Sequence, residues 1–387
     1  MVPALQALMS LLALKLLDKE RRSHIDDFNT DEALGLFAGL NILPKKSFAT
    51  DYSYRTQRRH QEKLLKHWVS GLRPLLFPEA DSFSLDFHPI PYRGEEAMLD
   101  QHYQPRRGRA GPSVLTFFAQ ERRSQVLCYA NANLTRDTQD DAVLEFVRFW
   151  HGLTGQYPQW LYFDSKLASY EKLTQLTKKN IWFVTIRRRG SSLVRRLASL
   201  PAGDWRTAVI DIPQRRHQRI HYVDERVTLR GYQGEVRQVA VRGLGREQPT
   251  LFLSNQFEIS PRELVMNYAR RNWIEDALGT GVNFFHLDCL SSEVRLNVDL
   301  DTVLTVIANG CYRWLATRLR GFEKAKPKQL YRKFVETSGA VEIAHGRRIV
   351  VHFGRRCHNP VLREAGLDKD CPPIPWIHNH RVDFVYT

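Results

Sequence analysis

The sequence predicts an α/β protein: a mixed-sheet core interrupted by a β-rich insertion, behind a helical N-terminal region. Three observations carry this expectation. Apolar residues recur at the helical period through the first 75 or so positions, three short apolar runs follow from Phe83 with tight connections, and strands and helices then alternate. At 387 residues the chain is long enough for two or three domains and a sizeable core, with no need of a disulfide or metal staple.

The elements follow in order. The opening MVPALQALMSLLALKLL has no basic leader, contains Gln6 and Ser10, and runs straight into KLLDKERR. It is expected to be a helix docked on the protein rather than a signal or a membrane span, and its abrupt start leaves room for an upstream segment. Gly39 and Pro44 interrupt the helical pattern at GLNILPKK, and HQEKLLKHWVSGLRPLLF supplies a further amphipathic helix. FSLDFHPI, SVLTFFAQ and QVLCYAN read as an antiparallel meander whose loops carry PRRGRAGP and ERRS. The helix DDAVLEFVRFWHGL, the strand QWLYFD, the helix KLASYEKLTQLTKK and the strand IWFVTIR come next, an alternation that predicts parallel strands covered on both faces. Few common folds share this order of strand, strand, strand, helix, strand, helix, strand. The ribonuclease-H-like fold is one.

Some 70 residues after Arg189 are rich in Arg and alternate apolar with polar, as in TAVIDI, RIHYVDERVTL and EVRQVAV, which predicts the β-rich insertion. The helical pattern resumes in SPRELVMNYARRNWIEDAL, where Ser260 and Glu263 form a capping box and Pro261 takes the first helical position. DTVLTVIANGCYRWLATRL is a second long helix, and AVEIAHGRRIVVHF predicts strands around a Gly346 turn. The expected organisation is a helical region over 1–78, core over 79–190, a basic insertion over 191–259, the rest of the core over 260–322, and a C-terminal region over 323–387.

Lys and Arg number 57 against 42 Asp and Glu, a net charge of +15. That excess favours a polyanionic partner, nucleic acid first and a membrane surface second. It is concentrated between Lys178 and Gln248, where 16 Lys or Arg face 6 Asp or Glu. Five cysteines without CxxC spacing argue for a reducing compartment and against a disulfide framework.

Three acids have unusual placements. Asp86 lies in a strand between Leu85 and Phe87, Asp164 ends QWLYFD, and Glu275 lies on the helix after the insertion. Asp at a strand end is ordinarily a turn or helix-cap residue, which is the plain reading of Asp164. Asp86 is costly to bury unless a cation or several donors meet it. On a helix with 100° per residue, Leu264, Tyr268, Arg271, Glu275 and Leu278 fall within about 80° of arc, so the polar trio faces protein or a cleft wall. By itself an Arg271–Glu275 pair at i, i+4 is an ordinary surface ion pair. Three carboxylates from separate elements of such a sheet also suit divalent cations, because Mg²⁺ takes oxygen ligands and leaves positions for water and phosphate. Two ions roughly 3.5–4 Å apart serve an in-line displacement at phosphorus.

The residues Tyr268, Arg271 and Glu275 have the spacing of the Tyr-Arg-Glu-Lys signature, and in this the chain resembles the insertion-sequence DDE transposases; the Lys position is Val282. SLDFHPIPYRG is similar to that family's first-Asp strand, FDSKLASYEKLTQLTKKNIWFVTIRRR to its second-Asp strand, helix and next strand, and FFHLDCLSSEVRLNVD to the segment after the Glu; DEALGLFAGLNILPKKSFATDYSYR resembles the preface of one subgroup. The resemblance implies a ribonuclease-H-like core in which Asp86, Asp164 and Glu275 hold two Mg²⁺ or Mn²⁺ ions. It implies hydrolysis of a strand at the element's end, followed by attack of the freed 3′ hydroxyl on target DNA. Tyr268 and Arg271 would contact phosphates beside the scissile bond. Its implied partners are double-stranded DNA of the terminal repeats and target, with a homodimer assembled on DNA and no membrane; its implied compartment is the bacterial cytoplasm at the nucleoid.

Arg187, Arg188 and Arg189 are either a solvated charge run or, as their position at a strand end entering the basic segment favours, further expected DNA contacts. Trp182, Trp205 and Trp273 are either core residues or stacking surfaces for a displaced base. Cys357, His358, Cys371, His378 and His380 match no standard structural zinc spacing. Two rival readings stand beside the transposase: a nuclease with the same triad but no strand transfer, and an inactive transposase-derived DNA-binding protein.

Overall fold

The structure is a computed structural model that describes residues 2–52, 55–94, 99–104, 108–212, 218–289 and 294–386. Parts of the segments singled out above, namely Ser53 and Tyr54, residues 105–107, Arg215 and Arg216 of the basic stretch, and LSSE at 290–293, lie outside the described residues.

The chain begins with helices α1 (Ala4–Leu16), α2 (Glu32–Phe37), α3 (Lys46–Tyr52) and α4 (Arg58–Leu76). Strands β1 (Ser82–Pro91), β2 (Gln101–Gln104), β3 (Arg109–Glu121) and β4 (Leu127–Asn131) precede α5 (Ala142–Thr154), β5 (Trp160–Phe163), α6 (Tyr170–Lys178) and β6 (Trp182–Ile186). The basic stretch holds α7 (Ser191–Ala198), β7 (Arg206–Ile210), β8 (Gln218–Thr228), β9 (Glu235–Arg242) and β10 (Thr250–Ser254). Helices α8 (Pro261–Ala269), α9 (Asn272–Asn283), α10 (Arg295–Arg318) and α11 (Pro327–Leu330) follow, then β11 (Gly339–Ala344), β12 (Arg348–Phe353), α12 (Asn359–Ala365) and β13 (Arg381–Tyr386).

These elements gather into two compact units, one of Met1–Trp68, Ile90–Val114 and Gly279–Thr387, the other of Val69–Pro89 and Leu115–Leu278. The residues expected to form one core over 79–190 and 260–322 are thus shared between them.

The second unit is built on a mixed sheet in the order β4-β3-β1-β5-β6-β10-β9-β8-β7. β1, β5 and β6 run parallel, with α6 as the crossover between β5 and β6. β3–β4 and every pair from β6 to β7 are antiparallel. The strands of the basic stretch therefore continue the same sheet, joined to it where β10 pairs with β6. Strand β10 and helix α7 escape the sequence reading. The five residues TLFLS are all buried and show no alternation, and α7 is only eight residues long, with its apolar positions hidden among arginines.

One face of this sheet carries Phe83, Leu161, Phe163 and Phe183, and α5 packs on it at Phe83. Phe83 meets Trp150 at 4.5 Å and Phe146 at 5.0 Å between ring centroids, edge-on pairs worth about 0.5–1.5 kcal/mol each beyond their area. The opposite face presents Tyr162, Val184, Val239, Val241 and Phe252, and α8 covers it with Leu264 and Val265. Successive residues of a strand alternate between these faces, which decides where each carboxylate points.

In the first unit α10 is buried all round from Asn297 to Gly310, as a central helix must be. Its two buried acids are paired: Asp299 accepts both oxygens' bonds from Arg58 at 2.9 Å, and Asp301 accepts from Arg22 at 2.7 Å. α1 docks on this unit through Ala7, Leu11 and Leu14, as its composition predicts, and Tyr312 Oη donates to the Leu16 carbonyl at 2.6 Å. β11 and β12 form the expected hairpin, with Gly346 and Arg347 at positive φ, and β13 adds in parallel to β12. Among the described residues no helix is long and apolar enough to cross a membrane.

Candidate active site

Register brings the first two acids together. β1 pairs with β5 through Ser84↔Tyr162 and Leu85↔Phe163, so Asp86 and Asp164 each follow the last paired residues of two neighbouring parallel strands, and both act on the Tyr268 hydroxyl. Counting by twos, Asp86 shares a face with Ser84, and Asp164 with Tyr162. That is the face covered by α8.

Asp164 is not a helix cap. The expected helix from Lys166 starts only at Tyr170, after a turn in which the Leu167 N–H donates to the Asp164 carbonyl at 3.1 Å and the Ser165 N–H to its Oδ1 at 2.7 Å. Pairing of β5 ends at Phe163, and a tight turn takes the chain away before a helix can form.

The stretch expected as one helix over 260–278 is two. The Ser260 cap is present, its hydroxyl accepting from the Glu263 N–H at 3.1 Å, and α8 ends at Ala269. Around Arg270 and Arg271 the backbone bonds tighten to i→i−3: Arg271 N–H to the Tyr268 carbonyl at 2.8 Å, Trp273 to Arg270 at 3.1 Å, and Ile274 to Arg271 at 3.0 Å. α9 then begins at Asn272. The break puts Arg271 on a turn from which its guanidinium reaches two acids. Its Nη1 donates to Asp86 Oδ2 at 2.8 Å, and its Nη2 to Glu275 Oε1 at 2.5 Å.

The electrostatics follow from this bridge. Burial raises the pKa of Asp86, Arg271 opposes that rise, and Glu275 adds to it. Burial works against the charge on Arg271 as well, but Asp86, Tyr268 and Glu275 together more than offset it, and its pKa is raised. Tyr268 lies edge-on to Phe252 at 5.3 Å, with the Arg271 guanidinium 5.7 Å from its ring centre. Its hydroxyl is held protonated well beyond the ordinary range, chiefly by burial, against Arg271 and with help from Asp164 and Asp86. Arg271 Nε is buried and meets no protein acceptor among the described residues.

Asp86, Asp164, Tyr268, Arg271 and Glu275 are thus gathered at one place by the middle of β1, the end of β5 and the α8–α9 turn. The donor chemistry of Asp86 and Asp164 fits a divalent cation. Glu275 does not complete a set of three, because Arg271 stands between it and Asp86, and among the described residues no group of three or more His, Cys, Asp or Glu is placed to hold a metal ion. Val282 is buried on α9, so a Lys ammonium in its place would have to give up water.

The three arginines after β6 separate. Arg188 and Arg189 are exposed, whereas Arg187 Nη1 is tied to Gln238 Oε1 at 2.5 Å and is only half exposed. Of the tryptophans, Trp205 is core, with the Arg242 guanidinium 3.8 Å from its ring, and Trp182 packs on Trp160 at 5.0 Å. Trp273 instead lines a cavity of about 370 Å³ with Trp160, Arg122, Arg123 and Arg270. Arg122 and Arg270 are not singled out in the sequence, although the doublets ERRS and ARRN were the available signal. Arg122 is buried, 3.7 Å from the Tyr162 ring, and donates to the Asn267 carbonyl at 2.6 Å, fastening β3 to α8. At the C-terminus, His380 Nδ1 lies 2.6 Å from the Ile377 carbonyl and His358 packs on Phe334.

The chain matches no known protein-family model and no curated protein.

Proposed function

We propose that the chain is a DNA transposase that cuts element ends and joins the 3′ hydroxyl to target DNA by metal-dependent phosphoryl transfer on a ribonuclease-H-like core. The observation that carries this reading is the meeting of Asp86 on β1 and Asp164 just after β5 with Tyr268, Arg271 and Glu275 around the α8–α9 turn. The chain order of an antiparallel pair followed by parallel strands with a helical crossover supports the fold assignment.

Mg²⁺ or Mn²⁺ held by Asp86 and Asp164 would supply the charge that stabilises an in-line displacement at phosphorus. Arg271 fixes the Asp86 carboxylate and keeps Glu275 Oε1 beside it. Tyr268, protonated at any working pH, is a hydrogen-bond donor there and not a base. The exposed Arg188 and Arg189, and the cleft of Trp273 and Arg270, offer contacts for DNA backbone and unstacked bases.

One observation favours the rival of an inactive DNA-binding derivative: Arg271 already occupies the space between Asp86 and Glu275. Incubation with Mg²⁺ and DNA fragments flanking the gene separates the readings. Nicked, excised and joined products support the transposase, cleavage without joining supports the nuclease, and binding without cleavage supports the inactive derivative. For the DNA contacts, the double variant Arg188→Ala/Arg189→Ala is expected to weaken binding uniformly across sequences. It should reduce the slope of log affinity against log salt by about 2, one per lost phosphate contact, in a salt titration by fluorescence anisotropy. An unchanged slope removes these residues from the interface.

A further inference from the structure

A second cavity, within the first unit, is unrelated to the carboxylates. It measures about 450 Å³, inside the roughly 300–1,000 Å³ range of small-molecule sites, and is bounded by α1, residues 19–23 and the start of α10. At its floor is Lys15. The stripe Ala7, Leu11, Leu14 and Lys15 is the face by which α1 docks, and an apolar residue at its last position would be the ordinary choice. Lys15 is only 6% exposed. Its Nζ donates to the Phe285 carbonyl at 3.1 Å, one acceptor for three protons.

A buried ammonium of this kind ordinarily pairs with an acid. Asp301, whose charge acts on Lys15, instead accepts at Oδ2 from Arg22 at 2.7 Å, and the Arg22 guanidinium is further held by the Asn297 carbonyl at 3.1 Å and the Thr50 carbonyl at 3.5 Å. Around the cavity Lys19 is paired with Asp27 at 3.0 Å and Arg21 lies 3.7 Å from Glu20, while Arg93 adds positive charge on the exposed side. Leu11, Leu14 and Val298 supply an apolar wall. Burial lowers the Lys15 pKa and Asp301 pulls it back, as any anion beside it would.

We propose that this cavity binds the phosphate group of a mononucleotide-sized ligand, with Lys15 at the phosphate, Arg93 at its rim and the apolar wall against the rest. Ammonium and guanidinium together match the oxygens of a phosphate monoester, and the burial of Lys15 leaves its ammonium little water to compete. The ligand is a free nucleotide or the phosphorylated end of a nucleic-acid strand. The inference is independent of the transposase reading, since it uses none of those residues.

Isothermal titration calorimetry of the full chain with AMP, with a short single-stranded oligonucleotide bearing a 5′ phosphate, and with the same oligonucleotide lacking it tests the proposal. Saturable binding of AMP or of the phosphorylated strand is expected, and which of the two binds tells the sources apart. Lys15→Met should weaken binding about tenfold or more, the size of one lost charge-assisted hydrogen bond. Arg93→Ala, at the exposed rim, should weaken it severalfold and decides the matter if Lys15→Met fails to fold by circular dichroism. No saturable binding of either phosphorylated probe, equal binding of the two oligonucleotides without AMP binding, or affinities unchanged in the folded variants would overturn the proposal.

Discussion

Arg271→Ala is expected to destabilise the protein by about 3 kcal/mol at neutral pH, because it strips a buried carboxylate of its counter-charge. The side chains of Arg271 and Asp86 are 12% and 18% exposed, so solvent screens their contact weakly. Glu275 is 51% exposed and loses little when its partner goes. The effect carries a pH signature. Burial raises the folded pKa of Asp86 while Arg271 holds it down, so the variant raises it further. A carboxyl whose folded pKa exceeds its unfolded value favours folding below the unfolded value, and that contribution is lost as pH rises through the folded one. The difference between wild type and variant should therefore be small near pH 4, grow with pH, and level off once Asp86 is ionised in both. Urea unfolding at pH 4, 6 and 8 measures it. A difference independent of pH would mean that the pair contributes packing and no charge.

Asp86→Asn is expected to lose activity at a smaller cost in stability. The Asn Oδ1 can still accept from Arg271, but the guanidinium, 12% exposed, keeps only Glu275 as counter-charge, so unfolding at pH 7 should be easier than in the wild type and harder than in Arg271→Ala. If Asp86 is a cation ligand for strand cleavage, the rate with Mg²⁺ should fall at least about a hundredfold, the upper end of what losing even a residue behind the ligands costs. DNA affinity by gel shift should stay within a factor of about two, since no phosphate contact is removed. Loss of binding along with cleavage would show that Asp86 acts through the fold.

The two predictions turn on features with different visibility in the sequence. Asp86 was legible because a carboxylate between Leu85 and Phe87 violates the strand's own pattern, and such a violation asks for a partner. The identity of that partner was half legible. The helical spacing of Tyr268, Arg271 and Glu275 put Arg271 beside Glu275, but its reach to Asp86, 185 residues away, depends on the break between α8 and α9. Periodicity does not detect that break, because the apolar spacing runs on through it. Arg187 shows the same limit. Adjacent arginines look equivalent in a row, and only the antiparallel neighbours beyond β6 decide that the first is claimed by Gln238. The α8 cap, the docking of α1 and the parallel β5–α6–β6 unit rest on local rules, and they were legible. The attachment of β10 to β6, and of β13 to β12, rests on pairing between distant segments, and it was not.

The most direct test of the central claim is a map of where a divalent cation sits. Fe²⁺ substituted for Mg²⁺, with ascorbate and peroxide, cuts the backbone only near its binding site. The account predicts cuts around Asp86, Asp164 and the α8–α9 turn, suppressed by excess Mg²⁺ and absent in Asp86→Asn. Cuts that avoid these positions, or that persist unchanged in Asp86→Asn, would contradict it.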